Sequence, residues 1–550
     1  MNFRPAILIL SAALLFASGT GCRQSQPSAP VAPPTILSPA TAAHVHWLGK
    51  KRLGITASAY YFTRIWQFSQ GARLERQTLT KLATTPGQWL PGGTNLTEDA
   101  VARLWLVFND LVQEESYLEI RAPANPQLLG ATKQGEGGST LNPRLSLVFA
   151  IRLNEAQSDS WLTNLPALLQ PLTGARAVNN PGDDTWSLKT TNVLNFVQFT
   201  RVGEWTVLSA GPEQNLLAGE ITARIRRDRV PFVSAGTNLW LEASLDLPRL
   251  VNIFPLSASG SQILSLVTRH SSLSSFHLSL SGDGANVITR ANLTLTQPLP
   301  ASLEPWRLPV ELMHEPLTSF TAARGLQSWL AAWQPWRDLQ IGTAPDQLFS
   351  WSLAGSPYQI YLAAPLLDAK SQVAALTDQL LQKGNPWLAT NGYISFDRAS
   401  DGNGVTWGDL PDIKPFIKST GAGVDGWLFA GLFPDTNNAA TPPPAGMIQD
   451  VLRRTNLVYY DWEVTGPRLQ PGLQVAQTAR LIARQPQMSM DSASIGWLAM
   501  LVPRLGISAT IINRTGPAEL TLYRRSTIGL TALELHLLAD WLESPQFPHM

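Results

Sequence analysis

The chain has 550 residues, several times the modal domain length of roughly 100–150, so it must contain two or more hydrophobic cores. Its formal net charge is +1 and its longest basic run is Arg226-Arg227-Asp228-Arg229, which argues against the concentrated positive surface that nucleic-acid binding requires. Charged residues make up 15% of the chain, well below the usual ~25%, which is more typical of an exported, loop-rich protein than of a cytosolic one.

Residues 1–21 have the pattern of a secretory signal peptide. Arg4 supplies the positive start, and Ile7–Ala17 is an apolar stretch too short to span a bilayer. Small residues then lead to Cys22, the only cysteine in the chain, which therefore has no disulfide partner. The sequence predicts export, with cleavage at this point.

Residues 19–22 resemble the lipobox of bacterial lipoproteins. The resemblance implies that Cys22 is lipidated and anchors the mature protein to the lipid bilayer through its acyl chains. Gly19 stands where the lipobox usually has leucine, so a plain cleaved signal remains the alternative. Arg23 follows the cysteine in place of aspartate, which for this family implies the outer membrane, facing the periplasm.

Residues 22–45 are rich in proline, serine and alanine and are predicted to form an extended stalk. A first module is predicted over residues 46–300. It opens with a strand at Ile55–Phe62 and a helix at Trp66–Leu82, and a second helix follows Thr97, a residue type favoured at helix N-caps. Apolar side chains recur at helical spacing along this second helix at Val101, Leu104, Trp105, Phe108, Leu111 and Val112.

The rest of the first module alternates strands, hairpins and single helices. The predicted elements are a strand at Leu145–Leu153, a helix capped by Asn154, a strand at Trp186, a hairpin over 196–209, a helix from Pro212, a strand at Asn238, and a closing hairpin of Phe276–Leu280 with Val287–Leu295.

Five prolines between residues 298 and 316 predict a linker over 301–316, and a second module is predicted over 317–550. Its predicted elements are a helix at Ser319–Trp336, a strand at Tyr358–Leu366, a helix capped by Asp368, a helix with Met447 to Leu452, a hairpin of Ile507–Ile512 with Glu519–Tyr523, and a final helix at Leu530–Leu542.

Four landmarks of the first module return in the second, in the same order. The pairs are Thr185-Trp186 with Thr406-Trp407, Trp205 with Trp427, Thr237-Asn238-Leu239 with Thr455-Asn456-Leu457, and Pro248-Arg249-Leu250 with Pro467-Arg468-Leu469. They lie 221, 222, 218 and 219 residues apart. We therefore expect an α+β protein made of two tandem copies of one module, with mostly antiparallel sheet and packed helices.

No signature of a familiar active site is present. The chain lacks Gly-x-Ser-x-Gly, Ser-x-x-Lys and His-Glu-x-x-His, so no catalytic or cofactor-binding residue is assigned and no cofactor is predicted. His44 and His46 form the only close histidine pair, but the sequence suggests no third protein ligand, so no metal site is assigned. The glycine-rich run 133–139 carries Lys133 before its glycines, whereas a phosphate-binding loop carries its lysine after them.

Two further groups have an ordinary and a functional interpretation. Asp397, Asp401 and Asn403 lie among glycines but lack EF-hand spacing, so a solvent-facing turn is expected. Asp461 and Glu463 lie two apart and share one face of a predicted strand, which permits acid–base work on a glycoside, although two solvated acids on a strand edge are commoner.

The chain has 19 tryptophans, an unusually high number. Trp329, Trp333 and Trp336 fall at i, i+4 and i+7, which favours the buried face of a helix over a sugar-stacking or membrane-facing stripe. The repeated Trp186 and Trp407 are expected to be core anchors of the two modules.

From residue 46 to the end, the chain resembles exported proteins of verrucomicrobial-type bacteria. The resemblance rests on Trp47–Leu53, Tyr459–Glu463 and Ile528–Thr531. Such families carry no assigned activity, so the resemblance implies a compartment and no chemistry.

These observations favour a membrane-anchored exported lipoprotein with a non-catalytic binding or scaffolding role toward an unknown protein or glycan. The alternative is a glycan-acting hydrolase that uses paired carboxylates in a tryptophan-lined cleft.

Overall fold

The computed structural model divides the described chain into two units. Residues 38–297 form the N unit, with which the few described residues after 543 also group, and residues 298–543 form the C unit. The structure describes residues 38–85, 96–122, 145–173, 178–179, 185–189, 196–213, 215–232, 234, 236, 238–253, 273–300, 303–339, 342–354, 359–390, 395–407, 414–421, 426–433, 441–472, 492–544 and 547–548.

The described residues of the N unit include ten strands. They are β1 (Thr41–Trp47), β2 (Ser116–Arg121), β3 (Ser146–Arg152), β4 (Val178–Asn179), β5 (Thr185–Lys189), β6 (Phe196–Val202), β7 (Trp205–Gly211), β8 (Leu241–Asp246), β9 (Leu273–Gly282) and β10 (Val287–Leu295). Its helices are α1 (Lys50–Gly54), α2 (Tyr60–Trp66), α3 (Ser69–Thr84), α4 (Glu98–Gln113), α5 (Glu155–Thr173), α6 (Leu216–Asp228) and α7 (Leu247–Ile253).

The described residues of the C unit also include ten strands. They are β11 (Leu317–Arg324), β12 (Gln347–Leu353), β13 (Ile360–Pro365), β14 (Phe396–Arg398), β15 (Gly404–Trp407), β16 (Phe416–Thr420), β17 (Trp427–Gly431), β18 (Leu457–Val464), β19 (Ile507–Arg514) and β20 (Glu519–Ser526). Its helices are α8 (Gln327–Ala332), α9 (Gln334–Leu339), α10 (Ala369–Gln379), α11 (Asn385–Thr390), α12 (Ala445–Leu452), α13 (Ala493–Leu501) and α14 (Ala532–Glu543), and residues 465–472 are helical as well.

Each unit is α+β, and its strands pair antiparallel, as the sequence predicted. In the N unit the strands lie in the order β10-β9-β8-β1-β2-β3-β7-β6-β5-β4. In the C unit the order is β20-β19-β18-β11-β12-β13-β17-β16-β15-β14. If ten is subtracted from each C-unit strand number, the two orders are identical.

The repeated tryptophans occupy corresponding strands of these two orders and are buried. Trp186 on β5 is fully buried and its ring stacks on Phe199, with ring centroids 5.6 Å apart. Trp407 on β15 is also buried and its ring lies 5.2 Å from that of Phe396. Both were predicted to be core anchors, and the structure confirms their burial.

Local signals at helix starts predicted several elements correctly. The Thr97 hydroxyl accepts a hydrogen bond from the Ala100 amide at the start of α4, and Asp368 accepts from the Ser371 amide at the start of α10. The helix predicted from Pro212 begins later because the Asn215 side chain caps it, accepting from the Ala218 amide.

Two predicted elements are wrong. Ile55–Phe62 is not a strand, because a 3-10 turn at Ala57–Ala59 leads into α2. Residues 319–324 are not helical but belong to β11, most of whose side chains are buried because it lies between β12 and β18. A short, fully buried strand cannot be distinguished from a buried helix by periodicity alone. Strand β1 begins at Thr41, within the range predicted as stalk, and residues 41–45 take part in the sheet.

Candidate functional site

Two sequence features lie outside the described residues. These are Cys22, with the signal and most of the stalk, and the glycine-rich run 133–139. The lipidation of Cys22 therefore stays a prediction. The remaining candidate residues are described, and the polar ones concentrate in the central strands of each unit.

In the N unit, β1 is flanked by β8 and β2, and its alternating side chains place His44 and His46 on one face. His44 lies opposite Ser244 of β8 and Glu119 of β2, and Ser244 lies opposite His277 of β9. Residues directly across a sheet share a face, so this face carries histidines and carboxylates in place of apolar side chains.

Glu242 lies between two histidines on this face. One of its carboxylate oxygens, Oε1, is 4.0 Å from Nε2 of His44 and 3.9 Å from Nε2 of His277, and Oε2 accepts a hydrogen bond of 2.9 Å from the Ser234 hydroxyl. His44 and Glu242 are buried, while 21% of the His277 side chain is exposed. Solvent therefore reaches the cluster from the β9 side.

Neither ring nitrogen of His44 has a hydrogen-bond partner among the described residues. Its ring packs instead against Phe232, with centroids 5.4 Å apart, and lies 6.4 Å from the Tyr117 ring. Burial lowers the pKa of His44 to about 4, since the charge of Glu242 offsets only part of the lost hydration. Burial also lowers the pKa of His277. Both histidines are therefore neutral at pH 7.

His46, the second histidine of β1, has a different carboxylate partner. Its Nε2 is 3.1 Å from Oε1 of Glu115, whose other oxygen pairs with Arg52. Burial on its own would raise the pKa of Glu115, but the hydrogen bond from His46 and the charge of Arg52 together lower it. The two histidines share a face without converging on one point.

Glu119 is held by three donors. Tyr117 donates to it at 2.6 Å, Arg121 at 2.7 Å and Thr41 at 2.9 Å. Burial opposes ionisation, but the bonds from Tyr117 and Arg121 outweigh it and lower the pKa of Glu119. Burial and the neighbouring Glu119 charge raise the pKa of Tyr117 above its usual range. This carboxylate serves as a cross-link between β1 and β2.

In the C unit the corresponding strands carry Asp461 and Glu463 of β18. Because β18 is paired with both β11 and β19, it is not an edge strand, and both acids are buried. The expectation of two solvated acids on a strand edge is therefore wrong. The solvent-facing alternation of β18 was a plausible interpretation only while its neighbours in the fold were unknown.

Both acids of β18 have protein partners. Glu463 accepts from Arg468 at 2.6 Å and from the Ala532 amide, the first residue of α14, at 2.7 Å. Asp461 accepts from the Thr321 hydroxyl at 2.9 Å. Burial, and then the nearby charge of Glu463, raise the pKa of Asp461 to about 7, against the opposing charge of Arg468. One acid is thus ion-paired, while the other is poised near neutrality.

The two clusters have the same layout. In the N unit a row runs His44–Ser244–His277 across β1, β8 and β9. In the C unit the corresponding row is Ser319–Glu463–Ser508 across β11, β18 and β19. In each unit an acid lies two residues before the middle of the row, Glu242 in one and Asp461 in the other.

The remaining predicted candidates lie at the surface. Asp401 accepts a hydrogen bond of 3.0 Å from the Asn403 amide in an exposed turn, as expected. The tryptophan stripe is not one helical face, because α8 ends at Ala332 and Trp333 is extended. Trp329 is 58% exposed and stacks on Trp333, with centroids 5.9 Å apart and planes at 12°, while Trp336 packs against the core. Core packing was therefore the wrong interpretation for Trp329.

Among the described ranges, no three of His, Cys, Asp and Glu are grouped so that they could hold a metal ion. Within the same part of the chain, no helix is both long and apolar enough to cross a bilayer. Sequence reasoning missed Glu115, Glu119, Glu242 and His277. A usable signal was the presence of Glu242 and His277 inside predicted apolar strands, where a charged or titratable side chain needs a buried partner.

Comparison of the chain with protein-family models, with curated proteins and with solved structures finds no match.

Proposed function

We propose that this chain is an exported lipoprotein, anchored to the cell envelope through Cys22, whose body has a non-catalytic binding or scaffolding role. The observation that carries the non-catalytic part is the burial of Asp461 and Glu463, each bonded to the protein itself. A glycosidase needs two carboxyl groups that flank a bound sugar, and buried acids engaged by Thr321 and Arg468 do not offer that arrangement.

The surface that best fits a binding role is the Trp329–Trp333 pair. An exposed indole backed by a second, parallel indole presents a flat, rigid apolar surface, which is the kind of anchor that recognition sites use. The sequence from Gly325 to Trp336 contains no charged residue, so approach to this surface requires no desolvation of a charge on this segment.

The two units are proposed to be copies of one ancestral module. Three observations support this: the four repeated landmarks, the identical strand orders, and the change in landmark spacing from 218 to 219 residues along β18. A β-bulge between Leu457 and Tyr459 gives β18 one extra residue relative to β19, whereas β8 pairs with β9 without any such shift. The bulge lies between the two landmarks whose spacing differs.

The anchor is tested by labelling expressing cells with a fatty-acid analogue. We expect label on the wild-type chain and none on the Cys22→Ala variant, which should leave the membrane fraction. Equal labelling of both would refute lipidation at Cys22.

The binding role is tested by cosedimentation of the mature chain with purified envelope glycan and by cross-linking to envelope proteins. We expect Trp329→Ala to reduce capture of whichever partner binds, and Trp387→Ala, a half-buried tryptophan of the same unit, to serve as the matched control. Release of reducing sugar by the wild type that Asp461→Asn abolishes would instead establish the glycan-hydrolase alternative.

A further inference from the structure

The cluster around His44 has no role in the proposed binding function, and its chemistry is unusual for a structural core. A buried polar ring that lacks a hydrogen-bond partner normally costs stability, and such groups in native proteins call for an explanation. At the corresponding place in the C unit, Ser319 and Ser508 are hydrogen-bonded to Ser352 and Thr465. The N unit has histidines in both positions.

We propose that His44, Glu242 and His277 form an acid-sensitive latch, which holds β1 in the N-unit sheet near neutral pH and releases it when the surroundings acidify. The inference does not depend on the proposed function.

The titratable groups that face His44 come from four strands. Its own strand β1 contributes His46, β2 contributes Glu119 and Tyr117, β8 contributes Glu242, and β9 contributes His277. Glu119 is already saturated by Tyr117, Arg121 and Thr41, and His46 is engaged with Glu115. Glu242 is thus the carboxylate that both His44 and His277 approach, and it lies beyond hydrogen-bond distance of each.

Opening of β1 gives a proton better access to His44. In the closed sheet, burial disfavours the charged ring, so its pKa is about 4, whereas an exposed imidazole has a value of 6.5. The sign follows from these two values: the folded pKa is the lower one, so the closed state is fully favoured above pH 6.5 and loses ground as the pH falls through 4. At pH 5 the difference amounts to an increase of about 30-fold in the open-to-closed ratio, and protonation of His277 adds to it.

Strand β1 is the element most able to respond locally. It is the first described strand of the chain, so it can leave the sheet without displacing structured chain on its amino-terminal side. It also carries His44 itself, so its release is the smallest movement that brings this ring into water. The stalk predicted before β1 would transmit such a release to the tether.

The test is hydrogen exchange of the full mature chain, read by mass spectrometry between pH 7.5 and 4.5 and corrected for intrinsic exchange rates. We expect corrected exchange in β1 to rise about 30-fold by pH 5, while β11, the corresponding strand of the C unit, shows no such rise. A β1 exchange rate that does not depend on pH would overturn the proposal.

His44→Phe is the informative variant, because it replaces an unpaired ring by an apolar one between Phe232 and Tyr117. It should remove most of the pH response, and retention of the full response would refute the latch. If this variant does not fold, an NMR titration of the His44 ring in the wild type decides, since a measured pKa of 6.5 or above contradicts the mechanism. Zinc ions should not protect β1, and protection by zinc would assign the cluster to metal binding instead.

Discussion

The buried ion pair between Arg468 and Glu463 gives the sharpest test of the C-unit cluster. The pair spans 2.6 Å, and the two side chains are 3% and 0% exposed. Arg468→Leu removes one partner and leaves a buried carboxylate whose remaining donor is the Ala532 amide and whose neighbour is another acid, Asp461. Breaking a buried pair in this way typically costs about 3–5 kcal/mol, since an uncompensated charge stays in the interior.

The matched controls separate burial from charge. Replacing both partners, as Glu463→Leu with Arg468→Leu, removes the stranded charge and leaves only the Ala532 amide without its acceptor, so the double variant should lose only about 1–3 kcal/mol. Arg398→Leu breaks a pair of the same length with Asp378, but those side chains are 49% and 53% exposed, so the cost should be under about 1 kcal/mol.

The assay is urea unfolding followed by tryptophan fluorescence, with a separate transition fitted for each unit. If Arg468→Leu costs no more than Arg398→Leu, Glu463 must be solvated. The carboxylates of β18 would then be accessible, and the argument against a hydrolase would fail with them.

Three further predictions concern the cores and the pH response. Asp461→Asn should flatten the stability of the C unit between pH 4 and 7: the raised folded pKa of Asp461 gives stabilisation that is complete below the ordinary value of 3.8 and lost as the pH rises through about 7, which a pH series of urea midpoints measures. Trp186→Ala should cost about 3–5 kcal/mol by the same assay, because the ring is fully buried against Phe199. Gly282→Ala should lower the thermal midpoint of the N unit, because a Cβ there overlaps the Ser58 carbonyl and the Trp240 ring, whereas Gly219→Ala meets no neighbour and should not.

The fold was predictable where a signal is local. Helix caps at Thr97 and Asp368 and the turn at Asp283 depend on residues within three positions, and the structure has them as the sequence indicated. The class of fold followed from the alternation of hairpins with single helices. Strand β11 could not be predicted in this way, because its extended form depends on partners about 30 and 140 residues away.

The polar clusters were harder still, because their burial is set by distant chain. Glu463 accepts from Ala532, 69 residues later, and Glu115 is engaged by Arg52, 63 residues earlier. Alternation along β18 indicates only that Asp461 and Glu463 share a face. It does not indicate whether solvent or α14 covers that face, and the accessibility of the acids depends on this difference.

The corresponding rows of the two units show how one sheet design can carry two chemistries. An acid stays two residues before the row in both, as Glu242 and as Asp461, while the flanking residues are His44 and His277 in the N unit and Ser319 and Ser508 in the C unit. Burial shifts the affected groups in opposite senses: it disfavours the protonated form of His44 and favours the protonated form of Asp461. Acidification therefore weakens the N-unit row and strengthens the bonding of Asp461 in the C-unit row. Opposite changes at matched positions are hard to attribute to packing alone, and for that reason we place the pH response of this protein in the N unit.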